Sequence, residues 1–200
     1  MVKAKKRWAK RIAAVALACT LGTGAVGALV GCSSDSKSNR DEMSVAWTSN
    51  AGEYNLDPTN NYMGWQGSYL GIYEQLFRID ANFDPQPMLA ESAEMVNDTT
   101  WKITIREGVT FQNGNELNAQ AVADCLNRTI SMNERAKKSL DIASMEADGN
   151  VLTVTTNSLN TAFKNELSEP VASIIDVNSG AAEDEPVGTG PYKIDSVAGN

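Results

Sequence analysis

The stretch that decides the fold reads Tyr73-Glu74-Gln75-Leu76-Phe77-Arg78-Ile79-Asp80, then Pro85-Gln86-Pro87-Met88-Leu89-Ala90-Glu91-Ser92, then Trp101-Lys102-Ile103-Thr104-Ile105-Arg106-Glu107-Gly108-Val109-Thr110-Phe111-Gln112-Asn113-Gly114. Residues 76–79 are a short apolar run closed by a turn from Asp80 to Pro85, the pattern of a strand and its exit. Trp101, Ile103 and Ile105 alternate with Lys102, Thr104 and Arg106, which gives a strand one dry and one wet face. Glu107-Gly108 and Asn113-Gly114 bracket 109–111 with turn glycines, so this run is expected to pair back on the strand as a hairpin.

On the N-terminal side, Val45, Ala46 and Trp47 point to a first strand within 43–49, and 50–61 is a turn-rich loop with Gly52, Asn55, Pro58 and Asn60. Tyr69, Leu70, Ile72, Tyr73 and Leu76 recur at three and four spacing, which predicts a helix over 64–76 burying one face. Between the strands, 87–96 reads as irregular or a single helical turn, limited by Pro85 and Pro87. On the C-terminal side, 118–132 is the clearest helix. Asn118 can cap it, and Ala119, Val122, Leu126 and Ile130 form one stripe with Cys125 beside it. The charged 133–140 is a second, exposed helix. Residues 142–147 and 151–155 flank Asp148-Gly149-Asn150 as a hairpin. A short helix over 161–167 is ended by Pro170, 174–177 is a short apolar run, 179–185 is a loop, and a tight turn at 188–191 feeds a last strand over 192–196.

The chain is 42% hydrophobic and 21% charged over 200 residues, ordinary for a globular protein of about one domain. It contains no histidine, which removes most catalytic triads and the commonest metal ligand. Charge is unevenly placed. Lys3, Lys5, Lys6, Arg7, Lys10 and Arg11 precede Gly31 and no acid does, so 11 of the 17 basic residues face all 25 acidic ones from Cys32 onward, a balance of −14. A surface that acidic repels nucleic acid, and no nucleic-acid partner is expected.

The first segment has a basic start, an uncharged run over 12–30, and then Leu29-Val30-Gly31-Cys32. It resembles a bacterial lipoprotein signal, with 1–31 removed and Cys32 lipidated. The competing reading is an uncleaved membrane span, but the run is rich in Ala and Gly and ends at the cysteine. Residues 32–42 hold no apolar residue after the cysteine and form a flexible tether. With Cys19 removed and Cys32 lipidated, Cys125 is left without a partner, on the buried side of its helix.

Set in order, these pieces resemble the extracytoplasmic solute-binding proteins of ABC importers, family 5, the peptide- and nickel-binding type. The matching residues are Tyr73, Glu74 and Leu76; Pro87, Leu89, Ala90 and Ser92; and Trp101, Ile103, Ile105, Arg106, Gly108, Val109, Phe111, Asn113 and Gly114. Leu56-Asp57-Pro58 upstream and Gly188-Thr189-Gly190-Pro191-Tyr192 downstream flank them. The resemblance implies an α/β, periplasmic-binding-protein-like (type II) two-lobe fold, a mixed sheet with flanking helices. Residues 43–200 would be the N-terminal part of that domain, the second lobe lying beyond.

It also implies a function: capture of an extracellular peptide and delivery to ABC permease subunits, at the extracytoplasmic face of the bacterial membrane, with the lipid as anchor. A nickel-chelate receptor, or a sensory or structural lipoprotein keeping the fold, are the alternatives. The short segment between the 118–132 helix and Pro170 resembles nickel-type members. Those members carry an arginine after the proline of a Glu-Leu-x-x-Pro stretch; here Glu166-Leu167-Ser168-Glu169-Pro170 is followed by Val171, which cannot pair with an anionic chelate. The family's loop after the first strand lines the cleft, which makes Gly52, Glu53 and Tyr54 candidates, a plain solvated loop being the competing reading. Tyr62, Met63, Trp65 and Gln66 open the next helix and either stack on a ligand or fill the core. The glycines of 188–190 lack the lysine and following helix of a phosphate loop and read as a structural turn. Glu91 with Glu94, or Asp141 with Glu146, are carboxylate pairs, yet nothing places either across a sugar. Neither an enzyme nor a resident cofactor or metal is expected.

Overall fold

In the computed structural model, which describes residues 55–180 and 185–195, the alternation at 101–105 forms the strand that organises the rest. The described residues all belong to one unit, Thr48–Asn200. Trp101, Ile103 and Ile105 are buried while Lys102 stands in solvent, as period-two patterning requires. The elements in chain order are α1 (Asn61–Tyr69), β1 (Phe77–Ile79), β2 (Pro85–Pro87), β3 (Ala90–Asn97), β4 (Thr100–Ile105), α2 (Ala119–Met132), α3 (Glu134–Leu140), β5 (Ile142–Asp148), β6 (Val151–Thr156) and α4 (Phe163–Glu166), with 3-10 turns at Pro170–Ala172 and Val177–Ser179. A four-stranded sheet has the order β3-β4-β6-β5, and β1 and β2 form a separate pair. The sequence reading expects a mixed sheet; among the described residues every strand pair is antiparallel.

Leu152 and Val154 of β6 continue the dry face of β4, and α2 lies across β5 and β6 on that side. Its buried stripe is Ala119, Val122, Ala123, Cys125, Leu126 and Thr129, and the Asn118 side chain accepts from Ala121 N at 3.0 Å as the expected cap. Removing water from such a stripe and its facing strands is the main force holding this layer together. On the wet face, register aligns Glu94, Lys102, Thr153 and Glu146 in one row, so each lysine neighbour across the strands is an acid or a threonine. No helix among the described residues is long and apolar enough to cross a membrane.

Four elements depart from the sequence reading. Residues 90–97, expected to be irregular, form β3. This strand is an edge whose residues are mostly exposed and bulged, so it shows no alternation to read. Its turn into β4 is an Asx turn in which Asn97 Oδ1 accepts from Thr99 N at 3.1 Å. The run 109–111 does not pair with β4; Thr110 bridges Glu116, and Phe111 N donates to Asn115 O at 2.8 Å, so it folds onto 115–117. The helix expected over 64–76 begins at Asn61 and stops at Tyr69, because Gly71 takes φ +71°, and Tyr73 and Leu76 are buried from the non-helical chain beyond it. Finally, 191–195 contains no strand, and Tyr192 N reaches only Gly71 O at 3.1 Å.

The Gly188–Tyr192 segment is a structural turn, and the reason is steric. A Cβ at Gly188 would lie 2.2 Å from Ile72 O, and one at Gly190 2.1 Å from Gly71 O. Gln112 clasps the turn: Nε2 donates to Ile72 O at 2.8 Å and to Gly190 O at 3.0 Å, and Oε1 accepts from Gly188 N at 3.2 Å.

Candidate functional site

The face built by α1, the α2–α3 corner and the Glu169–Ala172 turn gathers exposed aromatics and a cation over a buried polar frame. The frame begins at Asp57, which is 1% exposed. Its carboxylate accepts from Arg128 Nη1 at 3.1 Å, from Arg128 Nη2, from Thr59 N at 2.9 Å and from Thr59 Oγ1 at 2.7 Å. Burial alone would push this carboxyl up, but the hydrogen bonds and charge of Arg128 and those of Thr59 outweigh it and hold it below its ordinary value of 3.8. One turn on, Asn133 ends α2 and caps α3, accepting from Ala136 N at 2.9 Å, while its Nδ2 donates to Thr59 O at 2.9 Å. The loop entering α1 is therefore tied to both helices.

α1 has no apolar stripe and sits down through its glycines instead. A Cβ at Gly64 would lie 1.7 Å from Asp57 O, and one at Gly67 2.2 Å from the Tyr73 ring. The Tyr73 hydroxyl lies between the carbonyl oxygens of Leu56, at 2.8 Å, and Gly64. With glycine facing inward, the aromatics turn outward. Tyr62 is 76% exposed and meets the half-buried Trp65 edge-on, centroids 5.0 Å apart. The Arg135 guanidinium, from α3, lies over the Trp65 ring at 5.3 Å and donates to Glu169 Oε2 at 3.4 Å. Trp65 Nε1 is buried and meets no acceptor among the described residues.

Among the residues singled out from sequence, Tyr62 and Trp65 come together on this face, and Gln66 is buried beneath it. Met63 lies within α1. Gly52, Glu53, Tyr54 and Cys32 lie outside the described residues. Sequence reasoning missed Asp57, Arg128, Asn133, Arg135 and Glu169 as parts of one arrangement, since they come from separate elements. Val171 is 4% exposed under α1, so the position after Pro170 holds packing rather than charge.

Elsewhere, an open depression of about 360 Å³ lies at the other end of α2, lined in part by Phe111, Asn115, Glu116, Asp124 and Asp176. Burial raises the Asp176 carboxyl, but amide donors from Asn113 and Asn115, each at 2.7 Å, and Asn178 N bring it below its ordinary value. Those bonds occupy it structurally. Glu91 and Glu94 are exposed on edge strand β3, and Asp141 is taken up by Asn157 and Ser158, so neither carboxylate pair faces a cleft. Burial pushes the Cys125 thiol up to about 11, which makes it a packing group rather than a nucleophile. No group of three or more His, Cys, Asp or Glu that could hold a metal occurs among the described residues.

Comparison with known proteins agrees with this fold. The architecture is that of a periplasmic binding protein: it superposes on the crystal structure of a nickel ABC transporter protein from Bacillus halodurans with a TM-score of 0.70 at 39% identity, covering 74% of this chain and 31% of that one. Residues 84–200 match the bacterial extracellular solute-binding proteins, family 5 (middle region), and the chain belongs to that family. It is 35% identical over 126 residues to the nickel-binding protein NikA of Staphylococcus aureus, and 34% identical over 138 residues to the glutathione-binding protein GsiB of Escherichia coli K12. Each alignment covers 62% of this chain, which spans 26% of the length of either relative.

Proposed function

We propose that this chain is part of a solute-binding receptor of an ABC importer, and that the α1 face belongs to its solute cleft. The observation that carries the reading is the geometry of that face: exposed Tyr62 and Arg135 and half-buried Trp65 are gathered over a buried polar frame. A large ring in solvent beside a half-buried one, over a costly buried ion pair, fits a surface that is covered when a ligand arrives. Gly52, Glu53, Tyr54, Met63 and Gln66 are the further candidates for the cleft. The solute in this reading is a small peptide, for which the absence of a cation at Val171 and the likeness to a glutathione-binding relative speak. A nickel chelate is the second reading, favoured by the likeness to nickel-binding NikA. The receptor closes on its solute and docks on permease subunits at the outer membrane face. Thermal shift of the full-length protein with di- to pentapeptides, glutathione and nickel–L-histidine tests this: a rise in Tm with one class supports it, and no rise with any contradicts it.

Residues 1–31 are proposed as the signal, Cys32 as the lipidated residue and 32–42 as the tether. Labelling cells with a radioactive fatty acid should mark the protein, and Cys32→Ser should abolish both label and membrane retention. Label persisting in the variant would remove the anchor from this account.

A further inference from the structure

We infer that Arg135 receives a carboxylate of the bound solute, an assignment that rests on the receptor reading above. The guanidinium carbon lies over the Trp65 ring, 5.3 Å from its centroid. Only Nη2 is engaged, by Glu169 Oε2 at 3.4 Å, and the two side chains are 60% and 42% exposed. A single long bond between exposed charges is weak and is readily exchanged for a better acceptor. The other guanidinium N–H groups meet no acceptor among the described residues.

The elements that surround this cation are held in place by the fold. Trp65 comes from α1, Glu169 from the residue before the Pro170–Ala172 turn, and Asn133 pins the start of α3 by capping it and by bonding Thr59 O. The planar guanidinium fork matches the two oxygens of a carboxylate. Tyr62, edge-on to Trp65, supplies an apolar wall for whatever group the carboxylate is attached to. Charge balance gives the site its purpose. The chain from Cys32 onward is acidic by −14, so an anionic solute is repelled at long range and needs a local cation to bind. Val171 is buried and cannot serve.

The carboxylate belongs either to a peptide C-terminus or to an amino-acid metal chelate, and the test separates them. Full-length protein, wild type and Arg135→Gln, is titrated calorimetrically with Ala-Phe-Ala and its C-terminal amide, and with nickel–L-histidine and nickel–L-histidinamide. One free-carboxylate probe is expected to bind wild type and to lose roughly ten- to a hundredfold in affinity in the variant. Its amide counterpart is expected to bind both proteins equally weakly, and Arg135→Lys to recover part of the lost affinity. The pair that responds identifies the source. Equal affinity of wild type and variant for the acid, or equal losses for acid and amide, overturns the assignment. If wild type binds no probe, the receptor reading itself falls and takes this one with it.

Discussion

The sheet side and the α1 side of this molecule are assembled by different forces. On the sheet side, β4, β6 and α2 meet through Trp101, Ile103, Ile105, Leu152, Val154, Val122 and Leu126, all nearly or wholly buried. On the α1 side, apolar packing is joined by two glycines at close approach, the Asp57–Arg128 pair, and side chains bonded to backbone oxygens of Leu56, Thr59 and Gly64. The first arrangement draws on many contacts that each contribute a little. The second depends on a few atoms, and its aromatic anchor is Tyr73 beneath α1, which leaves Tyr62 and Trp65 for other work.

Single substitutions should expose that contrast. Leu126→Ala, in the middle of the apolar layer, should cost about 2–5 kcal/mol by urea unfolding, and the loss should be the same at every pH. Asp57→Asn should cost about 3 kcal/mol at neutral pH, at the low end for a broken buried pair because the Arg128 side chain is 19% exposed. Its pH dependence separates the two sides. The folded-state carboxyl lies below its ordinary 3.8, so its contribution is complete above that value and disappears as pH falls through the lower folded value. The gap between wild type and Asp57→Asn in calorimetric melts should therefore narrow as pH falls below 3.8. A gap that does not narrow in acid would mean that the ion pair does not hold the α1 side.

Gly67→Ala should cost roughly 1–3 kcal/mol, because the new methyl must displace the Tyr73 ring. It should raise amide exchange in α1 and leave β4 and β6 protected. The smallest effects belong to sites that neither side uses. Lys102→Thr on the wet face should shift stability by less than about 0.5 kcal/mol. Cys125 should resist a thiol–disulfide reagent in the native protein and react at once in denaturant; fast native labelling would show that α2 opens locally.

The sheet side was legible in the sequence because its physics is periodic. Period-two alternation marked β4, a stripe with an Asn cap marked α2, and the turn residues Asp148-Gly149-Asn150, with Gly149 in left-handed backbone, marked β5 and β6. Legibility failed where pairing carries no pattern: β3 is an edge with little to bury, and 109–111 finds its partner in its own loop. The α1 side was only partly legible. Tyr62 and Trp65 stood out as aromatics at a helix start, but α1 was placed too far along, since the spacing of Tyr69, Tyr73 and Leu76 imitates a helix that Gly71 interrupts. Nothing in a linear reading joins Asp57 to Arg128 across 71 positions, or sets Arg135 on Trp65.

The central claim, that the α1 face meets the solute, is tested most directly by amide hydrogen exchange on the full-length protein. The exchange is measured with and without whichever of the tripeptide, glutathione or nickel–L-histidine raises its Tm. The account predicts added protection in α1 and at the start of α3, with β4, β6 and the first turn of α2 unchanged. Protection centred instead on 111–118 and 176–178, around the depression at the opposite end of α2, with α1 unaffected, would contradict it.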